Sequence, residues 1–433
     1  MSCLFEASTE VDLRGDGVVV LLMALFKKTK AFLQCVGRKC SMIGFGAVDS
    51  PPQNKNCKSE IEMTDHQTFS GWKTIAAADA GFESKALDAL AKFAIENESV
   101  MKRDIGKALA EGHFGEPWPI GQTLGPVKDR AEPSGVVLRG GKIVKTWGDV
   151  ERVDMTFSIS KSYLALCVGI AVDDGMIPDI NEPVRNLVDD GGFDTKQNCD
   201  ITWKQLLQLT SEWEGTLWDK PDWIDHNRDV TGKPGGNNNK GIKRELNKPG
   251  MYWEYNDVRV NRISLALMRV FKRPLPEVLK ERIMDPIGAS DTWEWHGYEN
   301  SWVDVNGRKL QSVSGGAHWG GGLWISSLDH ARVGQLMLNK GIWDGKQILS
   351  EEWINACIKP CNLMPIYGYL WWLNTGDRKT FPAANSSSFF ALGEGTSMIW
   401  VDPKNDTVVV VRWIQKEAID DFVENMLQAM SQP

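Results

Sequence analysis

Ser158 and Lys161 are the two residues of this 433-residue chain whose types and spacing point most directly to chemistry. They stand in the run Phe157-Ser158-Ile159-Ser160-Lys161-Ser162. On a helix, residues three apart share a face, so the lysine of a Ser-x-x-Lys reaches the serine hydroxyl. Buried beside other polar groups, such a lysine loses its proton and activates the serine as a nucleophile. A helix starting at Ser158 also directs its N-terminal positive potential at the oxyanion formed when a serine attacks a carbonyl. A serine cap followed by a solvated lysine has the same spelling. The residues that follow tell against it: Leu164, Ala165, Leu166, Cys167, Val168, Ile170, Ala171 and Val172 leave no polar face, so a buried helix is expected.

That helix is expected from Phe157 to Asp174, with Gly175 just past its end. Residues 135–147 read as a hairpin, two β-rich runs around Gly140-Gly141. Leu87, Leu90, Phe93 and Ala94 repeat at helical spacing between Gly81 and Glu96. Near the C-terminus, 397–401 and 407–413 make two strands around Asp402-Pro403-Lys404-Asn405-Asp406, followed by a helix over about 417–430. The stretch 176–385 is mixed and helix-leaning, rich in Gly, Trp and Asn. The implied organisation is a mixed α/β (α+β) domain assembled from 69–175 and 386–433, interrupted by a mostly helical insertion over 176–385. Clefts between two such parts favour ligands. Residues 1–68, with Pro51-Pro52-Gln53-Asn54-Lys55-Asn56, read as an extension or linker.

Composition excludes several classes. Apolar residues make up 42% and charged residues 24%, as in an ordinary globular chain. With 49 Lys and Arg against 57 Asp and Glu, the formal charge is -8, and no basic run offers a face for nucleic acid. The apolar run Val18 to Phe26 is too short to span a membrane and has its charges in the reverse order of a secretory signal. The eight cysteines are scattered without Cys-x-x-Cys, which suits free thiols in the cytoplasm, with export left open. A Gly-x-Ser-x-Gly elbow is absent. The six histidines form no zinc-binding spacing, and Gly141-Lys142 and Gly44-Phe45-Gly46 are too little for a nucleotide site. His318, beside Gly320-Gly321-Gly322, is a candidate for the cleft wall. Trp213, Trp218, Trp223 and Trp253 read as core and lid packing or as an acyl pocket. Glu212, Glu214, Asp219, Asp222 and Asp225 read as a solvated face, or, facing the cleft, as a preference for amine-bearing substrates.

Beyond Ser158 and Lys161, several ordered segments resemble the penicillin-binding and class C β-lactamase-related serine hydrolases over about 81–430. They include Gly175-Met176-Ile177 with Glu182-Pro183-Val184, Ile201-Thr202 through Leu206-Leu207 to Thr210-Ser211, and Pro249-Gly250 leading to Tyr255-Asn256-Asp257. Met284-Asp285-Pro286-Ile287-Gly288, Gly321-Gly322-Leu323-Trp324 and Tyr367-Gly368-Tyr369 follow in order. The resemblance implies a β-lactamase/transpeptidase-like fold, an antiparallel sheet flanked by helices. It implies Ser158 as nucleophile, Lys161 holding and helping to deprotonate its hydroxyl, and Tyr255 as a base. The Ser158 N–H would give half of the oxyanion hole and the segment Gly393-Glu394-Gly395-Thr396-Ser397 the other half. Two departures stand out. Leu392-Gly393-Glu394-Gly395 replaces the Lys-Thr-Gly or His-x-Gly segment, whose cation anchors a substrate carboxylate. Asp257 replaces an asparagine whose amide contacts substrate. Both point to the esterase, amidase and peptidase branches, with a true β-lactamase or D,D-peptidase and a non-catalytic sensor as alternatives. The expected substrate is a small ester or amide, with no metal or organic cofactor; the oligomeric state is open.

Overall fold

The strand Thr407–Arg412 reads Thr-Val-Val-Val-Val-Arg, without the alternation that marks a strand with one wet face. All of its residues are buried, because it lies inside a sheet covered on both sides. The computed structural model describes residues 72–116, 119–230, 235–376 and 379–430. The segment 1–68, with its run Val18 to Phe26 and the glycines at 44 and 46, lies outside them.

The elements that position the site are, in chain order, helix α1 (Ser84–Glu96), strands β1 (Ser134–Arg139), β2 (Lys142–Trp147) and β3 (Asp154–Met155), and helices α2 (Ile159–Asp173) and α3 (Asp257–Phe271). Strands β4 (Glu294–Val305), β5 (Arg308–Val313) and β6 (Gly322–Ile325) and helix α4 (Ser327–Leu338) follow. Strands β7 (Trp372–Leu373), β8 (Phe389–Gly393), β9 (Ser397–Asp402) and β10 (Thr407–Arg412) lead to the terminal helix α5 (Ile419–Gln428). The hairpin, the helix after Ser158 and the closing strands and helix form close to where the sequence places them.

The six-stranded sheet runs β7-β8-β9-β10-β1-β2, with antiparallel neighbours throughout. Successive side chains on a strand point to opposite faces, and the two faces feed different cores. Val136, Leu138, Ile399, Val401, Val408 and Val410 pack with α2 and α4. Val137, Met398, Trp400, Val409 and Val411 pack with α1 and α5. Helix α4 comes close to the sheet at Gly334, where an added Cβ would lie 2.5 Å from Val408 and 3.0 Å from Ile399.

The middle of the chain contributes β-structure as well as helices. A four-stranded antiparallel sheet, β3-β6-β4-β5, carries between β5 and β6 the segment whose Gly316 lies against Lys161 and Asp257. Its long strand β4 hides from periodicity because the pairing with β5 shifts register between Gly297 and Trp302. Buried Arg412 fastens the two sheets, donating to the carbonyls of Ile325 and Met155 at 2.6 Å each. Among the described residues, no helix is long and apolar enough to cross a membrane.

Candidate active site

Phe157 takes a φ of +48°, a left-handed conformation rare for a bulky side chain. The chain turns there from β3 into α2 and leaves Ser158 at the N-cap. A serine in that position ordinarily bonds the N–H groups of the first turn, but Ser158 makes no such bond. Its Oγ accepts from Lys161 Nζ at 2.8 Å instead. The neighbouring serines serve the fold: Ser160 Oγ accepts from the Leu323 N–H at 3.0 Å, and Ser162 Oγ donates to the Leu370 carbonyl at 2.8 Å.

Tyr255 and Asp257 arrive on the N-terminus of α3. Asn256 caps that helix, accepting from the Arg259 N–H at 3.1 Å, and its amide nitrogen donates to the Asp222 carbonyl. The Asp257 N–H donates to Asp225 at 2.8 Å. This anchoring places the Tyr255 ring beside Lys161, with Nζ 4.6 Å from its centroid and the Arg228 guanidinium 5.1 Å away. Trp372 stacks on Tyr255 at 5.9 Å, and Trp253 and Tyr367 meet it at angles. Trp253 thus belongs to the wall behind Tyr255, whereas Trp213 is buried and tied to the Gly192 carbonyl.

Asp257 does not project as a substrate-contacting group. It is 1% exposed, accepts from Lys161 at 2.6 Å, pairs with Arg228, and lies 3.3 Å from His318 Nδ1. Burial alone would raise its carboxyl, but Lys161, Arg228 and His318 hold it well below the usual range. The reciprocal effect acts on Lys161. Burial and Arg228 push its ammonium towards losing the proton, yet Asp257 and Tyr255 together hold Lys161 above the ordinary lysine value. Its Nζ lies between the Asp257 carboxylate at 2.6 Å and Ser158 Oγ at 2.8 Å.

His318 does join the site. It is buried between two carboxylates, with Nε2 2.5 Å from Glu116 and Nδ1 on Asp257. Burial opposes its charge, but Glu116 and Asp257 raise its pKa above the ordinary value. Glu116 also accepts from Lys240 at 2.6 Å and Trp319 at 2.8 Å. Burial pushes its carboxyl up, while His318 and Lys240 bring it down to about 2. Glu116, Asp225 and His318 gather possible ligand atoms within 4.8 Å. Lys240 already bonds Glu116 and lies 3.5 Å from Asp225, so an ammonium supplies the positive charge among them. Glu116 belongs to a strap over 111–116 that the sequence did not single out. On it, Phe114 stacks on His318 at 4.1 Å and meets Phe157 edge-on at 6.3 Å, while His113 reaches Glu394 at 3.0 Å. A cavity of about 460 Å³ lies under the strap, lined by Phe114, Glu116, Gln122, Thr123 and His318.

Gly393 ends β8 against the chain just before α2: an added Cβ would overlap the Thr156 carbonyl and lie 3.3 Å from Ile159. That contact sets the Gly393-Glu394-Gly395 segment beside the start of the helix. Glu394, half exposed, pairs with His113, and Gly395 takes a φ of +72° against Trp413. The acids after Thr210 are not all on a solvated face. Glu212 bonds Arg259 at 2.8 Å and Arg244 at 2.7 Å, Asp222 bonds His226, and Asp225 bonds Arg228, all buried. They brace the start of α3.

A model of the Beta-lactamase family matches residues 128–427. No curated protein matches the chain. Among solved structures, the chain is similar to a penicillin-binding protein homolog from Caulobacter crescentus, with 15% identity and a TM-score of 0.50, covering 76% of this chain and 98% of that one. It is also similar to EstCE1, described as a hydrolase with promiscuous acyltransferase activity, with 12% identity and a TM-score of 0.50, covering 80% of this chain and 99% of that one. At these identities the likeness is one of fold.

Proposed function

The chain belongs to the Beta-lactamase family of serine hydrolases, and from that membership we propose that it cleaves an ester or amide through an acyl-enzyme on Ser158. The observation that carries this reading is the 2.8 Å bond from Lys161 to an Ser158 Oγ left free of capping at a helix N-terminus. Ser158 Oγ attacks the acyl carbon while its proton passes to the Tyr255 oxygen. Lys161 Nζ and the Arg228 guanidinium stand beside the ring, 4.6 and 5.1 Å from its centroid. The Ser158 N–H and a backbone N–H from the 393–397 segment hold the tetrahedral oxyanion. Tyr255 returns the proton to the departing alcohol or amine, and water then releases the acid by the same route. No step calls on a metal or organic cofactor.

Substrate class follows from Glu394. In the related hydrolases a cation near this place holds a substrate carboxylate, and here a half-exposed acid stands there. This favours carboxylesterase- or amidase-like acyl donors without a carboxylate over β-lactams. The test is the intact mass of the protein after brief exposure to a p-nitrophenyl ester, a penicillin and a D-amino-acid amide, beside Ser158→Ala. The ester should leave an adduct or turn over, and Ser158→Ala should abolish both. Tyr255→Phe should slow acylation by roughly 100-fold or more, as loss of a general base does. An adduct that persists in Ser158→Ala moves the nucleophile elsewhere, and a penicillin that acylates best favours the β-lactamase alternative.

A further inference from the structure

Lys161 Nζ has two partners, Ser158 Oγ at 2.8 Å and Asp257 Oδ1 at 2.6 Å, and both members of the ion pair are at most 2% exposed. The backbone of Gly316 lies directly on that pair. A Cβ at this position would overlap Asp257 Oδ1 and lie 2.6 Å from Lys161 Nζ. Gly316 is not in the left-handed region, so glycine is needed there for space and not for backbone conformation. The pair is closed off behind as well: Asp257 Oδ2 meets Arg228 and His318, and the Asp257 N–H is held by Asp225.

We propose that Asp257 and Gly316 are positioning residues that pin Lys161 as an ammonium on the nucleophile, so that Lys161 donates to Ser158 Oγ throughout acylation and does not accept its proton. This rests on the acyl-Ser158 reading above. Within the ion pair, a neutral Lys161 would leave its proton on Asp257. That carboxylate already faces two further cations, Arg228 and His318, and its charge is stabilised by both. Among the described residues, the other charged or titratable groups around the pair include Tyr255 beside Lys161, Asp225 and Glu394 near Arg228, Tyr298 and Tyr367 near Asp257, and Glu116 and Lys240 behind His318. The ammonium lowers the energy of the Ser158 alkoxide as it forms, and the proton leaves by Tyr255.

The two possible roles of Lys161 predict opposite effects of Asp257→Asn. The measurement is the acylation rate with a p-nitrophenyl ester from pH 6 to 9.5, with the mass adduct on Ser158 followed in parallel. Wild type should keep its rate to the alkaline end. Asp257→Asn removes the counter-charge while burial and Arg228 remain, so Lys161 loses its proton at lower pH. Its rate should be lower at pH 7 and fall about tenfold further towards pH 9.5, with partial recovery in Asp257→Glu. Were Lys161 the proton acceptor, Asp257→Asn would free it, and the variant would acylate faster than wild type near pH 7 and gain with pH. That outcome, or a profile unchanged in shape, overturns the proposal. Gly316→Ala keeps every charge but displaces the pair, and should cost at least tenfold in acylation; a wild-type rate in folded Gly316→Ala also overturns it. A wild-type protein that forms no Ser158 adduct would remove the acyl-serine reading itself, whereas an adduct with an unshifted Asp257→Asn profile removes only the positioning role.

Discussion

Glu212→Gln should cost stability in a way that disappears as the pH falls. Glu212 is fully buried and tied to Arg244 and Arg259, and its carboxylate also accepts from the Asn247 N–H. Burial raises its carboxyl, but these partners bring it from the ordinary 4.5 to about 2. A carboxyl depressed on folding contributes its full stability above its unfolded value and loses it as the pH drops towards the folded one. The gap from 4.5 to about 2, at roughly 1.4 kcal/mol per pH unit, amounts to about 3 kcal/mol. About two-fifths of that should be gone by pH 3.5. Urea unfolding of wild type and Glu212→Gln at pH 7, 4.5 and 3.5 reads this directly, since other carboxylates contribute to both proteins alike. The expected gap at pH 7 is on the order of 3 kcal/mol, as for removing one partner of a buried pair. A gap that stays constant from pH 7 to pH 3.5 would refute the argument, because the loss would then come from packing and not from the charge.

Two further substitutions separate roles that the motif alone leaves mixed. Ser160→Ala removes the acceptor for the Leu323 N–H and should cost about 1–2 kcal/mol in urea unfolding while the ester adduct still forms on Ser158; loss of the adduct in a folded variant would put Ser160 in the chemistry. Phe114→Ala removes the ring stacked on His318 and widens the cavity under the strap. The ratio of kcat/KM for a long-chain over an acetyl p-nitrophenyl ester should rise several-fold, and a ratio unchanged within twofold would mean that the acyl group lies elsewhere.

What could be read from the sequence was local. Ser158 and Lys161 meet because three residues on a helix make them meet, and the apolar run after them could only be a buried helix. The closing strands announced themselves by the valines at 408–411, each of which packs into one of two cores. The charge proposed for Lys161 was not local. Its burial was visible from the helix, and burial by itself argues for a neutral amine. The counter-charge that reverses this stands 96 residues further on. Asp257 was conspicuous as a departure from asparagine, but its sequence context could not say that the carboxylate faces inward. Glu116 and His318 are 202 residues apart, and nothing in the spelling of 111–116 sets it apart from any surface turn.

The same distance in sequence decides the question of substrate charge. Five acids between 212 and 225 invite the idea of an anionic cleft that prefers amines. In the fold, Glu212, Asp222 and Asp225 each face a cation supplied from elsewhere in the chain or from the next turn: Arg259 and Arg244 for Glu212, Arg259 for Asp222, and Arg228 for Asp225. Their field on a substrate is therefore largely cancelled, and their work is to hold the start of α3 where Tyr255 and Asp257 stand. An acid placed to influence a substrate is Glu394, 45% exposed and paired with His113. A preference for charge in the substrate should respond to Glu394→Gln, while the three buried acids should influence activity only through the placement of Tyr255 and Asp257.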